Sequence, residues 1–160
     1  MELDELSREI GDLLRQQGLT FGAVESATGG LISHAVTNIS GSSDYYLGSV
    51  TSYSNTVKMK VIGVRAETLE KYGAVSNRVA EEMALGGRKL LGVDICIADT
   101  GIAGPGGATA DKPVGLFYLG LADSDGAQSR RHLFSGDRRQ NKQNAAETAL
   151  LWLREYLLAL

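Results

Sequence analysis

A chain of 160 residues, 43% hydrophobic and 22% charged, suffices for one domain with a real core and is ordinary in composition for a soluble globular protein. A formal charge of -3 gives no basic face for nucleic acid, no apolar run is long enough for a membrane span, and Met1-Glu2-Leu3-Asp4-Glu5 lacks the basic start of a signal peptide. A lone cysteine, Cys96, excludes an internal disulfide and suits a reducing cytoplasm, while glycine is the unusual residue at 20 against 2 prolines.

Residues 2 to 17 place Leu3, Leu6, Ile10, Leu13 and Leu14 at helical spacing, with Gly18 as the stop. Thr20 to Val24 reads as a short strand ending at Glu25 and Ser26. Thr28 is then placed to cap a helix carrying Leu31, Ile32, Ala35, Val36 and Ile39. Strand, hydroxyl turn, Gly29-Gly30 and helix is an order that lets a ligand approach backbone N–H groups.

The Gly41-Ser42-Ser43 turn leads into a strand from Leu47 to Tyr53, and Lys58 follows closely. Hydroxyls, a phenol and an amine together can support nucleophilic chemistry without histidine or metal. Short helices are predicted near Val57 to Ile62 and Ala66 to Tyr72, the second closed by Gly73. Ser76 caps a longer helix with Val79, Ala80, Met83, Ala84, Leu90 and Leu91 inside. Gly86 and Gly87 weaken its middle unless another backbone packs closely there.

Val93 to Ala98 is a buried strand leading into the glycine loop Thr100-Gly101-Ile102-Ala103-Gly104-Pro105-Gly106-Gly107. Val114 to Ala122 and Ala127 to Phe134 form a hairpin about Asp123 to Gly126. Asp137 caps a last helix with Ala145, Ala149, Leu150, Leu153, Tyr156 and Leu157 facing inward. The alternation predicts an α/β fold, a three-layer α/β/α sandwich on a mixed, mostly parallel sheet of about five strands, as one domain over residues 1–160.

Several familiar chemistries fail on spacing. The glycine loop lacks the third glycine of a dinucleotide fingerprint, where Thr109 stands, and leads to a strand. Lys112 is followed by proline, so it is no P-loop lysine. His34 and His132 have no ligand spacing, so no metal site and no cofactor is expected. No Gly-x-Ser-x-Gly elbow exists, and Cys96 sits among apolar residues as inert core. Ligands in open α/β sheets sit beyond the carboxyl ends of parallel strands. Three strands end there in hydroxyl-rich or glycine-rich turns, at Ser26 and Thr28, Tyr53 to Lys58, and Thr100 to Gly104. Arg138 and Arg139 occupy the first turn of the last helix, where the macrodipole disfavours cations by about 0.3–1 kcal/mol unless an anion shares the site.

Glu25-Ser26-Ala27-Thr28-Gly29-Gly30, Gly41-Ser42-Ser43, Tyr53-Ser54-Asn55 with Lys58, Gly73-Ala74-Val75-Ser76, Thr100 to Pro105 and Lys112-Pro113-Val114-Gly115 resemble, in order, the CinA C-terminal domain family. The resemblance runs from about Leu6 to the final helix and implies the standalone form of the domain, with a mixed-sheet sandwich. It implies hydrolysis of the carboxamide of nicotinamide mononucleotide to nicotinate mononucleotide and ammonia, in a cytoplasmic homo-oligomer. Carried over by motif, Ser26, Ser43, Tyr53 and Lys58 are the catalytic candidates. Thr28, Gly29, Gly30, Thr100, Gly101, Gly104 and Arg138 are the substrate-binding candidates. Backbone N–H groups of one glycine loop would hold the oxyanion, and Arg138 the phosphate. The alternative implied is an inactive nucleotide-binding or protein-interaction paralogue linked to competence or DNA damage.

The chain departs from the family pattern at Ala27, where the family has cysteine. It departs also at Asp99, where a carboxylate replaces an apolar or small residue and is read as able to alter the charge preferred in the substrate. The run Gly48-Ser49-Val50-Thr51-Ser52-Tyr53 is altered as well. Geometry favours Ser26 over Ser43 as nucleophile, because a strand from Leu47 to Tyr53 is about 20 Å long and separates Ser43 from Lys58. Ser43 stays open if the chain folds back or a neighbouring subunit supplies it.

Overall fold

The computed structural model describes all of residues 1–160. Its centre is β1, Phe21–Glu25, which is buried along its whole length because parallel neighbours flank both of its edges. The five-stranded sheet has the order β2-β1-β3-β4-β5, with β2 at Tyr46–Thr51, β3 at Ile95–Gly101, β4 at Leu116–Asp123 and β5 at Gly126–Leu133. β1 pairs in parallel with β2 and β3, while β4 is antiparallel to both β3 and β5, so only β4 runs against the rest. The mixed, mostly parallel sheet and its hairpin are as the sequence predicts.

Helices cover both faces. On one, α1 (Leu3–Gln17), α2 (Leu31–Thr37) and α6 (Arg138–Leu158) enclose Leu6, Ile10, Leu14, Phe21, Ile97, Leu150 and Leu153. On the other, α5 (Asn77–Leu91) packs Val79, Met83 and Ala84 over Val24, Cys96 and Ala98, with α4 (Ala66–Tyr72) behind it. Cys96 is core, as expected.

Gly86 and Gly87 make this second layer possible. A Cβ on Gly86 would lie 2.0 Å from the Ile62 carbonyl oxygen, and one on Gly87 would lie 2.2 Å from Val24 Cγ2. No side chain fits in either gap, so glycine here serves close approach.

Local differences from the predicted elements have physical causes. Thr28 does not cap α2; Gly30 holds the cap position, and the Glu25 carboxylate accepts the N–H groups of Gly30, Ile32 and Ser33. A carboxylate at a helix start satisfies orphan donors and meets the positive end of the dipole. β2 stops at Thr51 because Ser52 and Tyr53 turn out of the sheet, although the Ser52 N–H still bonds the Glu25 carbonyl at 2.8 Å. The predicted helix near Val57 to Ile62 is a short turn, α3 (Asn55–Val57), followed by a π-helical turn, Lys58–Ile62, of the kind that recurs at functional sites. Leu90 is not inside: it is 52% exposed, and Leu91 alone reaches the core. Ser76 and Asp137 do cap their helices, the latter in a reciprocal box with Gln140.

Candidate active site

Parallel pairing brings the carboxyl ends of β1, β2 and β3 to one edge. Glu25 lies beside Thr51, and Val24 beside Ala98, so the turns after these strands emerge together. Beyond them lies a cleft of about 350 Å³, lined chiefly by Ser26, Tyr53, Asn55, Lys58, Thr100 and Arg138. That volume is at the lower end of the usual range for small-molecule pockets.

Ser26 is the first residue past β1 and is 7% exposed. Lys58 enters from the π-helical turn, 2% exposed, and its Nζ lies 3.0 Å from Ser26 Oγ, 2.9 Å from the Ser52 carbonyl and 2.8 Å from that of Tyr53. Burial pushes the Lys58 amine below its ordinary value, opposed in part by the charge of Asp99. This geometry satisfies the amine in both protonation states. As ammonium it donates to all three oxygens. As neutral amine it donates to the two carbonyls and turns its lone pair to the Ser26 hydroxyl. A proton can thus pass from Ser26 to Lys58 without movement of the amine.

Arg138, in the first turn of α6, reaches the rim. Its Nη1 donates to the Gly104 carbonyl at 2.8 Å, and its Nη2 lies 3.5 Å from the Tyr53 hydroxyl, a marginal contact. The α6 N-cap side, Gly136 to Arg139, lines a neighbouring groove that shares Ala103 and Arg138 with the cleft. Thr100 is 1% exposed, and its hydroxyl donates to the Ala74 carbonyl at 2.8 Å, leaving only lone pairs for a ligand.

Among the predicted site residues, Ser26, Tyr53, Lys58, Thr100, Gly101 and Arg138 meet at the cleft. Others lie elsewhere. Ser43 sits in the exposed turn Ser42–Asp44 before β2, at the opposite end of the sheet, since Tyr46 pairs with Phe21 and Thr51 with Glu25. Within one chain it does not approach Lys58. Thr28 is wholly buried, its hydroxyl between Glu25 and Asp99. Gly29 and Gly30 commit their N–H groups to the Ser26 carbonyl and Glu25, so they shape the turn and offer no donors to a ligand. Gly104 borders the groove by Arg138 instead of the cleft.

Asp99 does not face the cleft, contrary to the expectation that it adjusts substrate charge. It is 0% exposed, accepting the N–H groups of Ser26 at 3.0 Å and Thr28 at 3.1 Å. The contributions of Ser52, which holds Lys58 through a backbone carbonyl, and of the cleft-lining Asn55 were not singled out from sequence. A carbonyl's role leaves no mark on residue type. Asn55 did stand within the Tyr-Ser-Asn motif.

The model of the CinA C-terminal domain matches residues 3–157. The chain belongs to this family. A CinA-like protein of Geotalea uraniireducens is 48% identical over 151 residues, covering 94% of this chain and 36% of the relative. One of Salinibacter ruber is 50% identical over 145 residues, covering 91% and 35%. This CinA-family chain therefore spans little more than a third of the curated relatives it matches. Among solved structures, a CinA superfamily protein of Klebsiella pneumoniae superimposes with a TM-score of 0.96 at 31% identity over 100% of both chains. The competence/damage inducible protein CihA of Agrobacterium tumefaciens gives 0.92 at 38% identity, over 97% of this chain and 94% of that one. No helix is long and apolar enough to cross a membrane.

Proposed function

We propose that this chain hydrolyses the carboxamide of nicotinamide mononucleotide, giving nicotinate mononucleotide and ammonia. The observation that carries the reading is the 3.0 Å contact between Ser26 Oγ and a buried Lys58 amine at the floor of a cleft with a guanidinium on its rim. Ser26 Oγ attacks the carboxamide carbon as its proton passes to Lys58 Nζ. A tetrahedral oxyanion forms, held by backbone N–H groups beside the cleft. The C–N bond then breaks, and the leaving ammonia takes the proton from Lys58. A water, deprotonated by the same amine, cleaves the Ser26 ester and restores the hydroxyl. Tyr53 at the mouth orients the substrate, and Arg138 with the first turn of α6 binds the phosphate.

An assay of ammonia release tests this, with nicotinamide mononucleotide, nicotinamide riboside, nicotinamide and NAD as substrates. Release from the mononucleotide in preference to the others is expected. Tight mononucleotide binding without ammonia would replace the reaction with a nucleotide-binding role.

A further inference from the structure

Glu25 at the end of β1 and Asp99 on β3 are both 0% exposed, and the Thr28 hydroxyl lies between them. Thr28 Oγ1 is 2.7 Å from Glu25 Oε1 and 2.5 Å from Asp99 Oδ1. A hydroxyl carries one proton and can donate to only one of these oxygens. The second contact closes only when a carboxyl brings its own proton. Glu25 already accepts three N–H groups and the Ser33 hydroxyl, whereas Asp99 accepts two N–H groups. Burial pushes the Asp99 carboxyl up to about 6, with the Glu25 charge adding to the rise, against the hydrogen bonds from Thr28 and Ser26. Below about pH 6 that proton sits on Asp99, which donates to Thr28 as Thr28 donates to Glu25; above it Asp99 is ionised and acts on Lys58 through its charge.

We infer that Asp99 is a positioning residue for the Ser26–Lys58 pair: it grips the nucleophile turn by two backbone N–H groups and by the Thr28 hydroxyl it shares with Glu25, leaving the Ala27 N–H as the turn's free donor. The role in turnover rests on the proposed Ser26 chemistry. The turn's donors can be followed one by one. Those of Ser26 and Thr28 go to Asp99, that of Gly29 to the Ser26 carbonyl, that of Gly30 to Glu25 and that of Leu31 to the Thr28 carbonyl. Ala27 has no partner for its N–H and lines the cleft. An N–H immediately after a nucleophilic serine is a recurrent oxyanion donor.

The same placement couples Asp99 to the base. The charged groups around the cluster are Glu25 on β1, Lys58 on the π-helical turn, Arg138 at the rim, and Lys142 of α6, whose Nζ would lie 3.6 Å from a Cβ on Gly29. The neighbours from α2 and β2 are the uncharged hydroxyls of Ser33 and Ser49. An ionised Asp99 holds the proton on Lys58 more firmly, and a neutral one releases it.

The test follows the Lys58 side chain by NMR in lysine-labelled protein across alkaline pH, assigned with Lys58→Met, in wild type, Asp99→Asn, Thr28→Val and Thr28→Ser. Steady-state kinetics and folded fraction are measured on the same preparations. In Asp99→Asn, Lys58 should titrate lower by about one pH unit. Its kcat should fall by about tenfold or more with little change in KM. Thr28→Val should lose kcat in the same way, and Thr28→Ser should restore it by returning the bridging hydroxyl.

Wild-type Lys58 titration in Asp99→Asn, or kcat that merely follows folded fraction across the series, would overturn the proposal. The NMR arm needs no substrate. A shifted Lys58 in a protein that hydrolyses no nicotinamide nucleotide would refute the reaction and keep the positioning role. If Asp99→Asn does not fold, the kcat contrast between Thr28→Val and Thr28→Ser decides.

Discussion

Lys58 Nζ stands 3.0 Å from Ser26 Oγ although 32 positions separate the two residues, and its remaining contacts are two backbone carbonyls. No acidic side chain pairs directly with the amine. Lys58→Ala should therefore lose catalysis without losing the fold, by about 10²–10⁴ in kcat if the amine is the general base. Circular dichroism and ammonia release on the same preparation check this; near-normal turnover at saturating substrate would remove Lys58 from the mechanism.

The pH dependence follows from the direction of the Lys58 shift. Burial lowers its value from the usual 10.5, so the neutral, basic form accumulates at lower pH than for a free lysine. Activity should rise with pH through that lowered value and then level off. The linked stability has the same sign. Between the folded and unfolded values the unfolded chain binds the extra proton, so stability increases with pH across that window. Urea midpoints across alkaline pH should show this slope in wild type and lose it in Lys58→Met.

Substitution should separate the two serines by position. Ser26→Ala removes the hydroxyl at the cleft and should abolish turnover, whereas Ser43 lies beyond the far end of β2 in an exposed turn. Acyl-enzyme trapped at low temperature should map by peptide mass to Ser26. An adduct on Ser43 would require a second chain to complete the site.

Arg138→Ala should raise KM for the mononucleotide much more than for the riboside, which has no phosphate. A charge-assisted hydrogen bond is worth about 1.5–3 kcal/mol, or roughly tenfold and upward in affinity. Equal effects on both substrates would show that Arg138, which also holds the Gly104 carbonyl, acts by shaping the loop.

Gly86→Ala should test the seating of α5 on the π-helical turn that carries Lys58. The added Cβ would meet the Ile62 carbonyl oxygen at 2.0 Å, and backbone cannot swing aside as a side-chain tip can. Overpacking of this kind costs about 1–3 kcal/mol, outweighing the gain of up to about 1 kcal/mol from alanine's better helix propensity. Denaturant midpoints measure the loss, and Gly92→Asn, at a left-handed position with open space, should change stability little.

Sequence alone determined the layers and the edge at which the site lies. The alternating periods of α1 and α5, the unbroken apolar run of β3 and the hydroxyl or glycine turns after three strands are local signals, written in residue type and spacing. They sufficed for the mixed sheet and for gathering Ser26, Tyr53, Lys58 and Thr100 at one end, while the start of α6 brings Arg138 to the same cleft. Tertiary structure alone decided which polar groups face inward. Thr28 reads as a helix cap, yet register sets it between two buried carboxylates, and Glu25 performs the capping from the strand end. Asp99 reads as a charge in the cleft, but the parallel pairing of β1 with β3 puts its carboxylate under the Ser26 turn. Lys58 is held by carbonyls, which every residue carries, so no side-chain pattern could announce its partners. Hydrogen bonds between strand ends depend on register and chain direction, and those exist only once the sheet has formed.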